Sequence, residues 1–223
     1  MKKKDIFDKE RIKGIIFDLD GVLLDSMGIW KDLGARYIRS LGKEPEEGLW
    51  KVLFSMSMEQ GAEYMVKEYS LAETADEVLE GIQEMLKSFY YYEVPAKKGA
   101  EELLAEFEKN GMKMTAATSS PRKHVEKALE RNGLLKYIEK IFTSSETGTS
   151  KHEPDIYDLA ASFMGTKPEE TLVLEDSLYA LKTAKDAGYM TIGVFDAEGE
   201  SDQMGMEETA DIYIRELTDI LAE

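Results

Sequence analysis

The sequence predicts an α/β fold, a parallel sheet core flanked by helices, with an inserted all-α domain. Three observations carry this. The apolar run Ile12 to Phe17 stops at Asp18-Leu19-Asp20-Gly21, as a core strand does on meeting a turn. From Met27 to Tyr92 apolar residues recur at a spacing of about 3.6, with no segment of strand character. After Pro95, short apolar runs alternate with helical segments, the rhythm of a parallel sheet with helices on both faces.

Taken in order, Arg11 to Asp20 reads as a buried strand and the turn after it. Ile29 to Leu41 is a helix carrying Ile29, Trp30, Leu33, Tyr37 and Ile38, stopped at Gly42. Met58 to Tyr69 and Thr74 to Tyr90 follow, the latter with Val78, Ile82, Met85, Leu86 and Phe89 on one face. Asp25-Ser26 and Val94-Pro95 bound this block. The domains are therefore a helical insertion, 27–92, and an α/β domain made of 1–26 and 93–223. Tyr90-Tyr91-Tyr92 reads as packing near the hinge. Ala100 to Lys109 is a helix ended by Asn110-Gly111, and Lys113 to Thr118 is a buried strand. Arg122 to Arg131 is a helix opened by Ser119-Ser120-Pro121, where proline suits the first turn. Ile138 to Phe142 reads as a strand, and Asp155 to Met164 as a helix entered through Pro154. Thr171 to Leu174 is a strand ending at Glu175-Asp176, followed by a helix from Leu178 to Ala187. Met190 to Val194 and Ile212 to Ile214 are strands, and Glu216 to Leu221 is a last helix.

Composition narrows the functions. Hydrophobic residues make up 43% of the 223, enough for a core. A net charge of −17 excludes a general nucleic-acid binder and repels anions, so a phosphate site needs local positive charge. With no cysteine there is neither a disulfide framework nor a thiolate metal site. The basic start Met1-Lys2-Lys3-Lys4 is followed by charged residues rather than an apolar stretch, so no signal peptide is expected. No run is long enough to span a membrane. A cytoplasmic monomer is the expectation.

Four features fall where strands end. Asp18 and Asp20, two apart in extended chain, point to the same side. Thr118-Ser119-Ser120 offers hydroxyls at a helix start, a setting that suits an anion. Lys151 supplies a cation before the Pro154 helix, and Glu175-Asp176 is a second acidic pair. Each has an ordinary structural use as well: a turn pair, a helix cap, a solvated lysine, a charge pair at a helix start. Together they supply a carboxylate nucleophile, a second acid, a hydroxyl donor, a cation and acids for a metal, the parts of phosphoryl transfer. The two histidines, His124 and His152, suggest no metal or nucleophile site.

The order FDLDGVLLDS, ATSS, K-x-x-P-D-I-Y and LEDS resembles the haloacid dehalogenase-like hydrolases over nearly the whole chain. It is closest to the branch with a helical cap inserted after the first motif, which includes phosphoglycolate phosphatases and β-phosphoglucomutases. The resemblance implies a Rossmann-like core and a Mg2+-dependent phosphatase of a small phosphorylated metabolite. Asp18 would be the nucleophile, forming an aspartyl-phosphate, and Asp20 the acid and then the base. Thr118 would bind a phosphoryl oxygen, with Ser119 beside it, and Lys151 would pair with phosphate and nucleophile. Asp18, the backbone carbonyl of Asp20, Asp176 and Glu175 would surround the metal. Asp20 favours phosphate esters, because dehalogenating and phosphonate-cleaving members lack an acid there. The family's usual G-K-P-x-P is here Ser150-Lys151-His152-Glu153-Pro154, with histidine in place of a proline that stiffens the lysine's loop. In the cap, Trp30, Arg36, Phe54 and Met58 are the expected substrate contacts. Leu53 to Glu59 lacks the basic residue with which β-phosphoglucomutases hold a second phosphate, although Arg36, Arg39 or Lys67 could substitute. The mutase and a catalytically silent phosphometabolite-binding protein are the alternatives.

Overall fold

Strand β1 (Gly14–Phe17) is fully buried and has a parallel neighbour on each side. These are β2 (Lys113–Thr118) and β4 (Thr171–Glu175). Beyond β2 lies β3 (Lys140–Thr143); beyond β4 lie β5 (Met190–Val194) and β6 (Ile212–Ile214). The resulting six-stranded sheet is parallel throughout, in the order β3-β2-β1-β4-β5-β6. The computed structural model describes residues 6, 8, 11–53 and 56–221; among them no helix is long and apolar enough to cross a membrane.

Alternation along the strands sends successive side chains to opposite faces. Ile16, Ala117 and Val173 face a core completed by Ile156, Ala160 and Met164. On the other face, Phe17 meets Phe107 with ring centroids 6.1 Å apart. Helices therefore cover both sides, as near-continuous apolar strands require.

The chain divides into two compact units: one runs to Ser26 and resumes at Val94, the other is Met27–Glu93. The helical unit contains α1 (Ile29–Ser40), α2 (Leu49–Leu53), α3 (Met58–Glu68) and α4 (Ala75–Ser88). Reciprocal caps open two of them: Ser57 with Gln60 on α3 and Thr74 with Glu77 on α4, each satisfying two orphan backbone N–H groups. Ile29, Leu33, Tyr37 and Ile38 form the buried face of α1, from which Trp30 turns away, 44% exposed. A π-helical turn, Phe89–Glu93, follows α4 and buries Phe89 and Tyr90 while leaving Tyr92 exposed.

In the α/β unit the helices are α5 (Ala100–Lys109), α6 (Arg122–Arg131), α7 (Ser144–Thr147), α8 (Asp155–Met164), α9 (Leu178–Asp186) and α10 (Gln203–Thr209). Three differences from the sequence expectation have local causes. The strand expected over Ile138 to Phe142 starts at Lys140, because Ile138 closes a 3-10 turn by donating to Leu135. Ile138 is buried as a plug, not as a ladder residue. The final helix is one 3-10 turn, Leu217–Ile220, capped by the Asp219 carboxylate accepting from the Arg215 and Glu216 amides. The short helices α2, α7 and α10 have too few residues to show a period.

Gly81 of α4 marks where α1 and α4 approach closely. A Cβ there would lie 2.5 Å from the buried Tyr37 ring. Gly81→Ala gains ~0.5–1 kcal/mol of helix propensity and meets an overpacking cost of ~1–3 kcal/mol. The expected outcome is a net loss of about 1 kcal/mol and a lower Tm in thermal unfolding followed by circular dichroism. A rise in Tm would show that the ring yields.

Candidate active site

The sheet reverses direction of growth at β1: the chain passes from β1 outward to β2 and β3, then returns to β4 on the other side. Ligands in open α/β sheets gather at the carboxyl ends of strands flanking this switch point. Asp18 follows β1 there, its amide still donating to the Leu174 carbonyl of β4 at 2.9 Å. Glu175 ends β4 and Asp176 comes next. The carboxylates of Asp18, Glu175 and Asp176 each offer an oxygen within 4.8 Å of the others, and all three are buried.

Lys151, 3% exposed, reaches into this cluster. Its ammonium donates to Asp18 Oδ1 and, at 2.6 Å, to Glu175 Oε1. The Tyr157 hydroxyl donates to the same Glu175 oxygen at 2.8 Å. Burial, with repulsion from Glu175 and Asp20, pushes the Asp18 carboxyl up to about 8 against the pull of Lys151. Asp176 is raised well above the usual carboxylate range, by burial first and then by Asp18 and Glu175, with Lys151 and Lys97 opposing. Burial would lower Lys151, but Asp18 and Glu175 outweigh it and hold the ammonium above its ordinary range. Burial and Glu175 raise Tyr157, so its hydroxyl stays a donor. Three carboxylates against one ammonium leave a buried negative excess. The donors are all hard carboxylate oxygens, which fits a hard divalent cation such as Mg2+.

Asp20 sits one turn on, where Gly21 at φ +78° lets its amide turn back to the Leu24 carbonyl at 2.9 Å. The Asp20 side chain lies outside the cluster. Its oxygens accept one hydroxyl each, from Ser26 and from Ser120, both at 2.6 Å. Thr118, fully buried at the end of β2, accepts the Ser120 amide on Oγ1 at 3.0 Å. Ser119 and Ser144 pair their hydroxyls at 3.2 Å. The loop carrying Lys151 is backed by the His152 ring, stacked on Tyr179 of α9 with centroids 4.4 Å apart.

The sequence motifs contain Ser26 and Tyr157 without pointing to a role for either, and give Ser120 only a share in a run of hydroxyls suited to an anion. Trp30 and Met58 line an apolar cavity of about 420 Å³ with Leu33, Met65 and Ile82. Arg36 is held by Asp32 at 2.6 Å and Glu93 at 2.7 Å, and Arg39 shares Asp32. In the α/β unit, Arg122 at the start of α6 is paired with Glu126 and Glu146. Phe54 lies outside the described residues.

A family model described as haloacid dehalogenase-like hydrolase matches residues 15–194. The chain is 25% identical over 177 residues to the phosphorylated carbohydrates phosphatase of Thermotoga maritima, covering 79% of this chain and 82% of that one. To hexitol phosphatase A of Escherichia coli it is 29% identical over 184 residues, 82% and 83% of the two chains. In fold it is similar to a crystal structure of a β-phosphoglucomutase candidate from Thermotoga maritima, with a TM-score of 0.84 at 24% identity, over 94% and 97% of the chains.

Asp18 gives the metal-free protein a signed pH dependence. Its proton affinity is higher folded than unfolded, so its contribution is complete below 3.8 and lost as pH rises through about 8. In chelator, Tm is expected to fall across that window, and Asp18→Asn to flatten the fall and exceed the parent's Tm at its upper end. A parent whose Tm rises across the window would contradict the assigned burial effect.

Proposed function

This chain belongs to the haloacid dehalogenase-like hydrolase family, and we propose that it is a Mg2+-dependent phosphatase of small phosphorylated metabolites, sugar phosphates among them. The observation that carries this reading is Lys151 bridging Asp18 and Glu175 beside Asp176, at the switch point of the sheet. The phosphatase names of the relatives support the class of reaction.

In the proposed cycle an Asp18 oxygen attacks phosphorus and the bond to the ester oxygen breaks. Asp20 gives its proton to that leaving oxygen. Asp20 then takes a proton from water, whose oxygen attacks the same phosphorus, freeing inorganic phosphate and restoring Asp18. The Ser26 and Ser120 hydroxyls hold both Asp20 oxygens and so fix its aim. Thr118 accepts an amide on its oxygen, which leaves its own O–H to donate to a phosphoryl oxygen. Lys151 lowers the repulsion between Asp18 and an incoming phosphate. Mg2+, bound by Asp18, Asp176 and the Asp20 carbonyl, would supply the remaining positive charge against the phosphate dianion. Glu175 reads as the group that orients Lys151, since one of its oxygens takes both the Lys151 and Tyr157 donors.

A phosphomutase must hold a second phosphate on a cation. Arg36 and Arg39, proposed from sequence for that task, share Asp32, which favours hydrolysis. We assign the choice of ester to the helical unit, with Trp30 and Met58 in its apolar cavity.

With Mg2+, the protein is expected to release phosphate from p-nitrophenyl phosphate and from a panel of sugar and sugar-alcohol phosphates. Asp18→Asn should lower kcat by about 10⁴-fold or more, and Lys151→Met by about 10²-fold. Chelation should abolish turnover and Mg2+ restore it. Conversion of a hexose 1-phosphate to its 6-phosphate faster than phosphate release would replace the phosphatase reading with the mutase.

A further inference from the structure

Lys97, two residues past Pro95, carries a second ammonium close to this site. Its side chain is 16% exposed. Its three N–H bonds match three acceptors in separate segments: the Gly21 carbonyl, the Phe195 carbonyl at 2.9 Å and Asp196 Oδ2 at 2.9 Å. Lys97 is also fixed through its backbone, its amide donating to the Leu23 carbonyl at 2.8 Å beside the antiparallel bridge of Leu24 with Ala96.

Each acceptor leads to the catalytic cluster. Gly21 is the residue after Asp20, in the turn that aims the Asp20 carboxyl. Asp196, 5% exposed, accepts the Glu198 amide on its other oxygen at 2.8 Å and so shapes the loop after β5. That loop rests on the metal-side acid: a Cβ on Gly199 would lie 3.0 Å from Asp176 Oδ2 and 3.2 Å from Asp196 Cβ. The Asp20 turn and the loop against Asp176 are thus tied to one saturated ammonium.

We propose that Lys97 is a positioning residue that sets the Asp20 turn relative to the Asp176 loop. It touches neither substrate nor metal in this assignment. An apolar replacement would leave two carbonyls and the buried Asp196 carboxylate without their donor. The turn would then lose its outer support, and Asp20 would be misaimed while Asp18 and Lys151 stayed in place. The proposal rests on the phosphatase reading, and its test separates the two.

The readout is kcat/KM, which reports steps up to formation of the aspartyl-phosphate, on two substrates. An alkyl phosphate needs Asp20 to protonate its leaving oxygen, whereas nitrophenolate leaves with little help. Lys97→Gln and Lys97→Met are expected to lower kcat/KM by about 30–100-fold on the alkyl phosphate and less than about 5-fold on p-nitrophenyl phosphate. Asp20→Asn is the reference for that selective pattern. Equal losses on both substrates, in step with a loss of folded protein by circular dichroism, would overturn the proposal. Should Lys97→Met not fold, Lys97→Gln, which keeps donors without the charge, carries the test. If the parent hydrolyses neither substrate, the phosphatase reading fails, and amide hydrogen exchange decides for Lys97. Faster exchange confined to Gly21, Leu23 and Leu24 upholds its positioning of the turn; a rise that includes Ile16 and Val173 rejects it.

Discussion

The ion pair between Lys151 and Asp18, buried at the sheet's switch point, is the constraint on which the rest depends. Three carboxylates cannot share a dry site without a compensating cation, and Lys151 is the only ammonium bonded directly to them among the described residues. Its compensation is partial. Burial first, and then the neighbouring carboxylates, raise Asp18 and Asp176 above the usual carboxylate range.

Around this cluster, charge is either neutralised or tied down. The chain carries a net −17, yet the buried cluster does not draw on the surface arginines. Arg36, Arg39 and Arg122 each sit in ion pairs with carboxylates. Hydroxyls do the finer work instead. Ser26 and Ser120 hold Asp20, and the Ser120 amide in turn donates to Thr118, so Asp20 and Thr118 are linked through one serine. Such a linked set suits a reaction in which positioning and charge placement supply most of the rate.

Most of the α/β unit was legible because buried parallel strands read as unbroken apolar runs and each is punctuated by glycine, proline or an acidic pair. β1, β2, β4 and β5 announce themselves in this way. β3 was misplaced because Ile138 is as apolar as a strand residue, and only the 3-10 turn before it shows that it plugs the core. The short helices α2, α7 and α10 lack the length that periodicity needs. In the helical unit, periodicity put Trp30 with the apolar set of α1, but packing leaves it exposed at a cavity rim.

By itself the sequence determined the alternation of elements, the helical insertion and the types of residue available for chemistry, because those follow from local period and side-chain identity. Only the tertiary structure decided which of them meet. Asp18 and Glu175 lie on neighbouring strands because β4 returns beside β1, a pairing that no local pattern specifies. The same return places Lys151 between them. Lys97 gains its meaning only there: in sequence it is one lysine of a charged, mostly solvated set, and its three acceptors come from segments that only the folded sheet brings together.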